Sequence, residues 1–159
     1  MEWGPRALGN RSILVDPRLK NAKDLLNTKI KLREEFRPFA ASILENYLSD
    51  LFFNNSKSKQ YPHMNFIFKA KEETKKKYSS IVHVDGSTRI QTVNDDDNSK
   101  FYNLLQTFNN LYSVPLLLNT SLNINEPICE SPEDVIKSFY STNIDCLVLQ
   151  NYILIKKLI

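Results

Sequence analysis

Arginine is used sparingly in this chain and stands close to its few glycines. Gly4 and Gly9, two of the three glycines, bracket Arg6, and Arg89 follows the third, Gly86. Glycine permits backbone conformations that other residues avoid and lets the chain approach a ligand closely. A guanidinium held in such a turn suits bidentate recognition of phosphate or carboxylate. Taken alone, however, the first turn favours a simpler interpretation, a surface turn with solvated arginines.

Four stretches interrupt the core periodicity with glycine, proline, asparagine or arginine. They are EWGPRALGNRS, KIKLREEFRPF, HVDGSTRIQT and LLLNTSLNINEP. The cations and neutral donors that they supply are Arg6, Lys31, Arg37, Arg89, Asn119, Thr120, Ser121 and Asn123. If these side chains converge on one cleft, they would neutralise a phosphate-bearing small molecule, as phosphoryl-transfer sites do. The sequence contains no GxxxxGK[ST] loop, so any nucleotide would be held in another way.

Each of these cations also has a simpler structural explanation. Lys31 could belong to the basic last turn of the first helix, where it would favour the helix dipole. Arg37 could pair with a glutamate two or three residues before it on the surface. Arg89 could be a cross-strand partner of Asp85. From the residues alone, the sequence therefore indicates an anion-binding domain and goes no further.

Histidines and cysteines are too few and too scattered to indicate a metal site. His63 and His83 lack helical HxxxH spacing, so we predict no metal site within the chain. We interpret His83 as a strand residue with a satisfied hydrogen bond. Cys129 and Cys146 do not form a disulfide framework by their spacing, and we predict two buried thiols in a reducing compartment.

Length and composition indicate one ordinary domain over residues 1–159. Hydrophobic residues make up 42% and charged residues 25%, which is typical of a globular protein. No apolar run approaches the roughly 20 residues of a membrane span. The net charge of +3 is too small to indicate a polyanionic partner by itself. We therefore expect a cytoplasmic protein with no membrane partner.

In the first two thirds of the chain, mainly strands are predicted. SILVD should form a strand, followed by a helix over 17–32 with Asp16 as its N-cap. Further strands are predicted over 39–44 and in MNFIFKA, and the charge run KEETKKK is predicted as a solvated connection. SSIVHVD and TRIQTV should pair as a hairpin. In the second of these strands Arg89 and Gln91 should share one face.

The last third alternates helices and strands. A helix should follow the NDDDNS loop; its apolar stripe is Phe101, Leu104, Leu105, Phe108, Leu111 and Tyr112. VPLLLN predicts a buried strand, and Ser131 with Pro132 begins a second helix whose core face is Val135, Ile136, Phe139 and Tyr140. DCLVLQ and YILIKK predict two closing strands. This mixture predicts an α+β (mixed α/β) fold around one sheet.

The four stretches, in this order and spacing, resemble the C-terminal domain of the O-carbamoyltransferases, a family that includes nodulation-factor and antibiotic carbamoyltransferases. The resemblance runs from EWGPRALGNRSILVDPR through KIKLREEFRPFAASIL and HVDGSTRIQTV to PLLLNTSLNINEPICESPEDVI. It implies a YrdC-like fold, a twisted mixed sheet with flanking helices. It also implies that carbamoyl phosphate and ATP give carbamoyl adenylate and pyrophosphate. An N-terminal domain of the actin-like ATPase superfamily, which is absent from this sequence and carries the family's metal-binding histidines, would then transfer the carbamoyl group to a hydroxyl acceptor.

Matching the motifs residue by residue assigns the expected site. The family's carbamoyl-phosphate cations fall on Arg6, Lys31, Arg37 and Arg89, of which Lys31 and Arg89 take catalytic roles. The asparagine-rich loop places further substrate contacts at Asn119, Thr120, Ser121 and Asn123. Many members read LNTSFN, one residue, then Arg-Gly-Glu-Pro, whereas this chain is one residue shorter, with Asn125 near the position of the arginine. The resemblance implies ATP, with magnesium, as co-substrate.

Two alternatives to an activating enzyme domain stay open from the sequence. One is a nucleotide- or RNA-binding remnant without turnover, although the aromatic residues fall at core spacing rather than between basic residues. The other is a structural partner of a separately encoded N-terminal subunit. Met1 falls where the family has an internal methionine, so we expect an excised domain, half of a split gene or a truncated reading frame.

Overall fold

The computed structural model describes residues 9–156, so the predicted site residue Arg6 lies outside the described residues. The strands are β1 (Ser12–Val15), β2 (Ala40–Leu44), β3 (Phe52–Phe53), β4 (Phe66–Ala70), β5 (Ser87–Val93), β6 (Leu116–Ser121), β7 (Cys146–Leu149) and β8 (Tyr152–Ile155). The helices are α1 (Ala22–Asp24), continued by a π-helix (Leu25–Ile30), α2 (Leu48–Leu51), α3 (Glu72–Lys77), α4 (Asp95–Tyr112) and α5 (Pro132–Ser141). Short 3₁₀ turns cover Glu45–Tyr47 and Ser79–Ile81. Among the described helices, none is long and apolar enough to cross a membrane.

A mixed six-stranded sheet organises the fold, in the order β1-β6-β2-β5-β4-β3. Of the pairs between described strands, only β2 with β5 is parallel. The strands β7 and β8 form a separate antiparallel pair. Helices combined with a mixed sheet make this an α+β fold, which confirms the predicted class.

The two faces of the sheet are covered differently. One face carries the larger apolar core, to which the sheet contributes Ile13, Ala41, Ile43, Ile90, Leu116 and Leu118. On the other face, Leu44, Val93 and Leu117 pack against Phe101 and Leu105 of α4. Because side chains alternate along a strand, polar residues of the central strands share this second face with that smaller core. The sheet therefore has a polar region at its centre.

The first helix begins later than the sequence predicted. Asp16 does not cap a helix at residue 17; its carboxylate instead accepts from the backbone N–H of Arg18 (2.9 Å) and from the guanidinium of Arg18. The helix starts at Ala22 and changes to π-helical geometry from Leu25. It ends before Leu32, which has a φ of 47°. The π-helical end sets the direction of Lys31, whose backbone N–H donates to the carbonyl of Leu26 (2.7 Å).

One further prediction in the central region is wrong, and another is incomplete. Residues 79–85 form a 3₁₀ turn and a loop instead of a strand, and the antiparallel neighbour of β5 is β4. The charge run, for which only a solvated connection was predicted, forms helix α3. Its glutamates lie in the first turn and its lysines in the last, an order that favours the helix dipole, and Lys75 pairs with Glu72 (2.6 Å).

Several residues that the sequence placed in the core are exposed. Cys129 is buried as predicted, but Cys146 is exposed. Of the predicted helix stripes, the exposed members are Leu104, Leu111, Tyr112, Ile136 and Tyr140. Each helix packs against the remainder of the molecule along one narrow strip, so only the residues nearest that strip are buried.

Helix α5 begins with a capping box. The Ser131 hydroxyl accepts from the backbone N–H of Asp134 and the Asp134 carboxylate accepts from the N–H of Ser131, each at 3.1 Å. We expect Ser131→Ala to lower the free energy of unfolding by about 1 kcal/mol, because one helix N–H loses its acceptor. Urea unfolding measures the change. Thr107→Ala, at an exposed position on α4, is the control, and equal stability of the two variants would contradict a role for this cap.

Candidate functional site

A polar cavity of about 340 Å³ lies between the segment after the first helix and the loop after β6. Its described lining residues are Lys31, Leu32, Arg33, Glu34, Arg37, Ser121, Asn123, Ile124 and Asn125. Four of the residues predicted from the sequence (Lys31, Arg37, Ser121 and Asn123) therefore meet in one place. With three cationic side chains against one carboxylate, this polar cavity suits an anion.

Lys31 connects the two walls of the polar cavity. Its side chain is 1% exposed, and its ammonium donates to the carbonyl of Ser121 (2.5 Å) and to both the carbonyl (2.7 Å) and the side-chain oxygen (2.8 Å) of Asn123. Lys31 does stand at the end of the first helical segment, as its C-cap, but its ammonium bonds to the loop after β6. Its charge therefore holds the loop after β6 in position.

That loop is ordered by its own polar groups as well. Ser121 donates to Oδ1 of Asn123 (2.6 Å), and Asn123 Nδ2 donates to the carbonyl of Glu126 (2.6 Å). The Glu126 carboxylate accepts from the backbone N–H groups of Ile124 and Asn125, each at 3.0 Å. Burial alone would raise the pKa of Glu126, but these donors and the charge of Lys31 hold that pKa below its usual range. The loop is therefore built around an ionised carboxylate.

Arg37 lies in the opposite wall and makes an exposed ion pair. Its Nε lies 2.9 Å from a carboxylate oxygen of Glu34, and both side chains are about half exposed. The Glu34 carboxylate also interacts with its own backbone N–H, which together with Arg37 lowers the pKa of Glu34. This is the simpler explanation considered from the sequence. Because exposed ion pairs of this kind contribute little to stability, an anionic ligand could displace Glu34 at little cost.

Asn27 and Arg33 were not predicted as site residues, although they shape this wall. Asn27 is fully buried, and its Nδ2 donates to the carbonyls of Glu35 (3.1 Å) and Arg37 (3.2 Å). Its Oδ1 accepts from Nε of Arg33 (2.8 Å), whose guanidinium stacks over the ring of Phe39. The available signal was an amide beside the apolar residues Leu25 and Leu26 in the predicted first helix, since a buried amide needs hydrogen-bond partners.

A buried polar network lies on the second face of the central strands. Nδ2 of Asn119 donates to the Ser42 hydroxyl (2.7 Å) and to Oε1 of Gln91 (3.0 Å), and Ser42 donates to the same Oε1 (2.6 Å). Gln91 in turn donates to the carbonyl of Pro62 (3.0 Å), which fixes the orientation of its amide. Oδ1 of Asn119 is buried and has no hydrogen-bond partner within residues 9–156. The network therefore leaves one acceptor available.

The strand register places Arg89 beside this network and Thr120 away from it. Ala40 pairs with Arg89 on one neighbouring strand and with Asn119 on the other, so all three side chains lie on the same face of the sheet. Arg89 shares this face with Gln91, as predicted. Neither Arg89 nor Asn119 is among the described residues that line the polar cavity. Thr120 pairs with Ile13 and by alternation points to the opposite face. The predicted contacts are therefore distributed over the polar cavity and the two sheet faces.

Asp85 and His83 lie in the loop before β5. Asp85 forms its ion pair with Lys69 (3.2 Å), and the Ser87 hydroxyl and N–H, followed by Lys69, hold the pKa of Asp85 well below its usual range. His83 belongs to no strand, and its Nε2 is buried with no hydrogen-bond partner in the described part of the chain. Burial lowers the pKa of His83. Over residues 9–156, no three His, Cys, Asp or Glu side chains group so as to hold a metal ion.

The similarity of this chain to known proteins extends over all the residues of the candidate site. A family model described as Carbamoyltransferase C-terminus matches residues 1–156. The chain is 43% identical over 157 residues to Nodulation protein NolO of Bradyrhizobium diazoefficiens and 41% identical over 157 residues to Nodulation protein NolNO of Sinorhizobium fredii, across 98% of the chain in both cases. It is 40% identical over 159 residues to an uncharacterized protein of Methanocaldococcus jannaschii, across 99% of the chain. The chain spans 29%, 23% and 26% of the lengths of these relatives, respectively.

Proposed function

Since this chain belongs to the carbamoyltransferase C-terminal family, we propose that it binds carbamoyl phosphate and ATP and forms carbamoyl adenylate. The observation that carries the proposal is the polar cavity, in which Lys31, Arg37 and the loop at Asn123 lie together. Three cations and several amide and hydroxyl donors around one opening suit two phosphorylated substrates.

Mass balance requires water in the activation step. Water cleaves the bond to the phosphoryl group of carbamoyl phosphate, which leaves carbamate and inorganic phosphate. A carbamate oxygen then attacks the α-phosphorus of ATP, and the bond from that phosphorus to the bridging oxygen breaks as pyrophosphate leaves. Because negative charge accumulates on the phosphoryl oxygens, positioned cations are the main contribution that the protein can make. ATP would enter as its magnesium complex, so the ion is part of the substrate.

The cations take separate roles in this proposal. Arg37 leaves its ion pair with Glu34 and binds a substrate phosphate instead. Lys31 both holds the loop after β6 in place and supplies positive charge at the cavity wall. Arg89 supplies a second catalytic cation from the neighbouring sheet face. Arg6 keeps its predicted substrate contact. Asn125 lies in the cavity wall near the position at which many family members carry an arginine, so we expect a slower reaction than in those members.

Asn119 provides selectivity for a carbamoyl substrate over an acetyl analogue. Its Nδ2 already donates to Ser42 and Gln91. The Gln91 amide is oriented by its own hydrogen bond to the Pro62 carbonyl, so Gln91 Oε1 must accept and the Asn119 amide cannot be flipped. The remaining Oδ1 can only accept. The amino group of a carbamoyl substrate supplies a donor, whereas the methyl group of an acetyl analogue of similar size does not, and an unmatched buried acceptor is costly. We therefore propose that Asn119 binds the carbamoyl amino group.

Pyrophosphate release that depends on both carbamoyl phosphate and ATP tests the proposal. The chain alone should release pyrophosphate slowly and carbamoylate no hydroxyl acceptor, since transfer is assigned to a separate N-terminal domain of the kind found in the O-carbamoyltransferases. Binding of both substrates without any release would indicate the alternative function, a binding module without turnover. Carbamoylation of an acceptor by this chain alone would show that transfer does not need another domain.

Arg37→Lys should weaken the binding of carbamoyl phosphate about tenfold, because lysine keeps the charge but loses the bidentate fork. Glu34→Gln is the matched variant across the ion pair. It should bind carbamoyl phosphate as tightly as the unchanged chain or more tightly, because the ligand no longer competes with a carboxylate. Calorimetry measures both dissociation constants. A loss of affinity in Glu34→Gln with none in Arg37→Lys would reverse the roles proposed for this pair.

A further inference from the structure

Residues 31–39, which connect the π-helix to β2, carry two arginines of the polar cavity, Arg33 and Arg37. This segment forms neither helix nor strand. The apolar side chains in its middle do not anchor it either, since Leu32 is 64% exposed and Phe36 is 84% exposed. Other contacts must therefore fix the positions of the two arginines.

A buried amide provides those contacts. Asn27 lies in the π-helix and is fully buried. Its Nδ2 donates to the carbonyls of Glu35 (3.1 Å) and Arg37 (3.2 Å), and its Oδ1 accepts from Nε of Arg33 (2.8 Å). Turning the amide over would place its N–H groups against the guanidinium and its oxygen against two carbonyls. The hydrogen-bond partners therefore allow a single orientation of this amide.

Arg33 is held on two sides of its guanidinium. Nε donates to Asn27, and Cζ lies 4.7 Å from the centroid of the Phe39 ring, which is itself buried. The backbone N–H of Arg33 also donates to the carbonyl of Asn27 (2.9 Å). Because stacking restricts the tilt of the guanidinium plane and the hydrogen bond restricts rotation within it, Arg33 is directed before any ligand arrives.

The same amide holds Arg37 through its backbone. The Arg37 guanidinium makes the exposed ion pair with Glu34, whereas its carbonyl accepts from the buried Nδ2 of Asn27. One side chain therefore contacts the guanidinium of one cavity arginine and the backbone of the other. The distance between the two arginines depends on that side chain.

We propose that Asn27 is a positioning residue, which sets the separation of Arg33 and Arg37 so that both guanidinium groups bind one phosphate. Asn27 is not among the described residues that line the polar cavity, so it acts through the arginines and not on the ligand. The proposal rests on the proposed function, which supplies a phosphate-bearing substrate. It also gives Arg33 a phosphate contact. Two guanidinium forks that are positioned before binding lose less conformational freedom when the phosphate binds.

Asn27→Asp tests the two donated hydrogen bonds. Aspartate has the size of asparagine and keeps an acceptor for Arg33, but it loses both N–H groups. The dissociation constants of inorganic phosphate and of carbamoyl phosphate, measured by calorimetry on the full chain, should each rise about tenfold. Asn21→Asp is the matched control, because it makes the same change in charge at an exposed position just before α1. Equal dissociation constants in the two variants would overturn the proposal.

A double-mutant cycle separates positioning from stability. Asn27→Asp should lower the urea midpoint in any background, because two buried hydrogen bonds are lost. Its effect on phosphate affinity should depend on Arg37: in an Arg37→Ala chain, Asn27→Asp should weaken binding less than about threefold. A full tenfold loss in the Arg37→Ala chain would show that Asn27 does not act through Arg37, and would overturn its positioning role.

Arg33→Lys tests the second arginine, and it keeps the inference falsifiable if Asn27→Asp does not fold. Lysine keeps the charge but loses the planar fork that stacks on Phe39, so the dissociation constant of carbamoyl phosphate should rise about tenfold. Arg18→Lys is the control: Arg18 pairs with Asp16 outside the polar cavity, and its replacement should leave binding unchanged. Unchanged affinity in Arg33→Lys would overturn the phosphate contact of Arg33.

The two probes also separate this inference from the proposed function. If the unchanged chain binds inorganic phosphate but not carbamoyl phosphate, the proposed function fails, and the effect of Asn27→Asp on phosphate binding still decides the positioning role. Binding of neither probe by the unchanged chain would overturn both.

Discussion

Lys31→Met should abolish most of the proposed activity and also destabilise the chain. Methionine matches the length of lysine but donates no hydrogen bond, so the carbonyls of Ser121 and Asn123 lose a buried donor. We expect the free energy of unfolding to fall by about 2–4 kcal/mol. We also expect pyrophosphate release to slow by about 100-fold or more, because a charge beside the reacting phosphates is removed.

Lys29→Met is the matched control for this substitution. Lys29 lies on the same helical segment and is exposed, so its loss should leave both stability and pyrophosphate release near those of the unchanged chain. Urea unfolding followed by circular dichroism and a coupled pyrophosphate assay measure the two effects separately. Equal stability of the two variants would contradict the anchoring role of Lys31, and equal rates would contradict its proposed catalytic role.

Gly9→Ala should be among the most destabilising single substitutions in the described chain. A Cβ at this position would lie 2.5 Å from Cδ1 and 2.6 Å from Cγ of Phe101, whose ring is 5% exposed in the smaller core. The φ of Gly9 is also +86°, a conformation that side chains disfavour. Overpacking and the positive φ together should lower the free energy of unfolding by about 2–4 kcal/mol.

Gly86→Ala tests whether the close contact or the backbone angle dominates. Gly86 has a φ of +76°, but its added Cβ would meet only the end of the Lys75 side chain, at 3.0 Å, which can move. We expect a loss of about 1–2 kcal/mol, from the backbone angle alone. Urea unfolding compares the two variants, and Phe101→Leu added to Gly9→Ala should recover part of the loss. Equal losses at the two glycines would show that the Phe101 contact is unimportant.

Local sequence patterns predicted most of the secondary structure correctly. The helices α4 and α5 have strong caps and long apolar patterns, and β2 and β6 are continuous runs of buried residues. The errors occur where a local pattern is compatible with more than one kind of secondary structure. The segment over 79–85 has strand composition, but β2 and β4 already occupy both edges of β5, so no edge remains for it.

The candidate site was predicted in part for a similar reason. Lys31, Arg37, Ser121 and Asn123 stand in recognisable motifs, and the structure places them around one cavity. Ser42 and Asn27 were missed. Ser42 looks ordinary in its own segment, and its role appears only when Asn119, 77 residues away, supplies a hydrogen-bond partner. The partners of Asn27 lie within ten residues of it, but the chain reverses direction to bring them together.

The sequence by itself determined the family, the α+β class and the cations available for chemistry, because these depend on residue identity and short-range spacing. Only the tertiary structure decided which of these cations meet. Lys31 turns inward because a π-helical end redirects it, and Asn119 joins Ser42 and Gln91 because β6 and β5 flank β2 in one register. Contacts between strands as far apart as Ser12 and Ser121 depend on pairing across the whole sheet, and no local pattern in the sequence encodes that pairing.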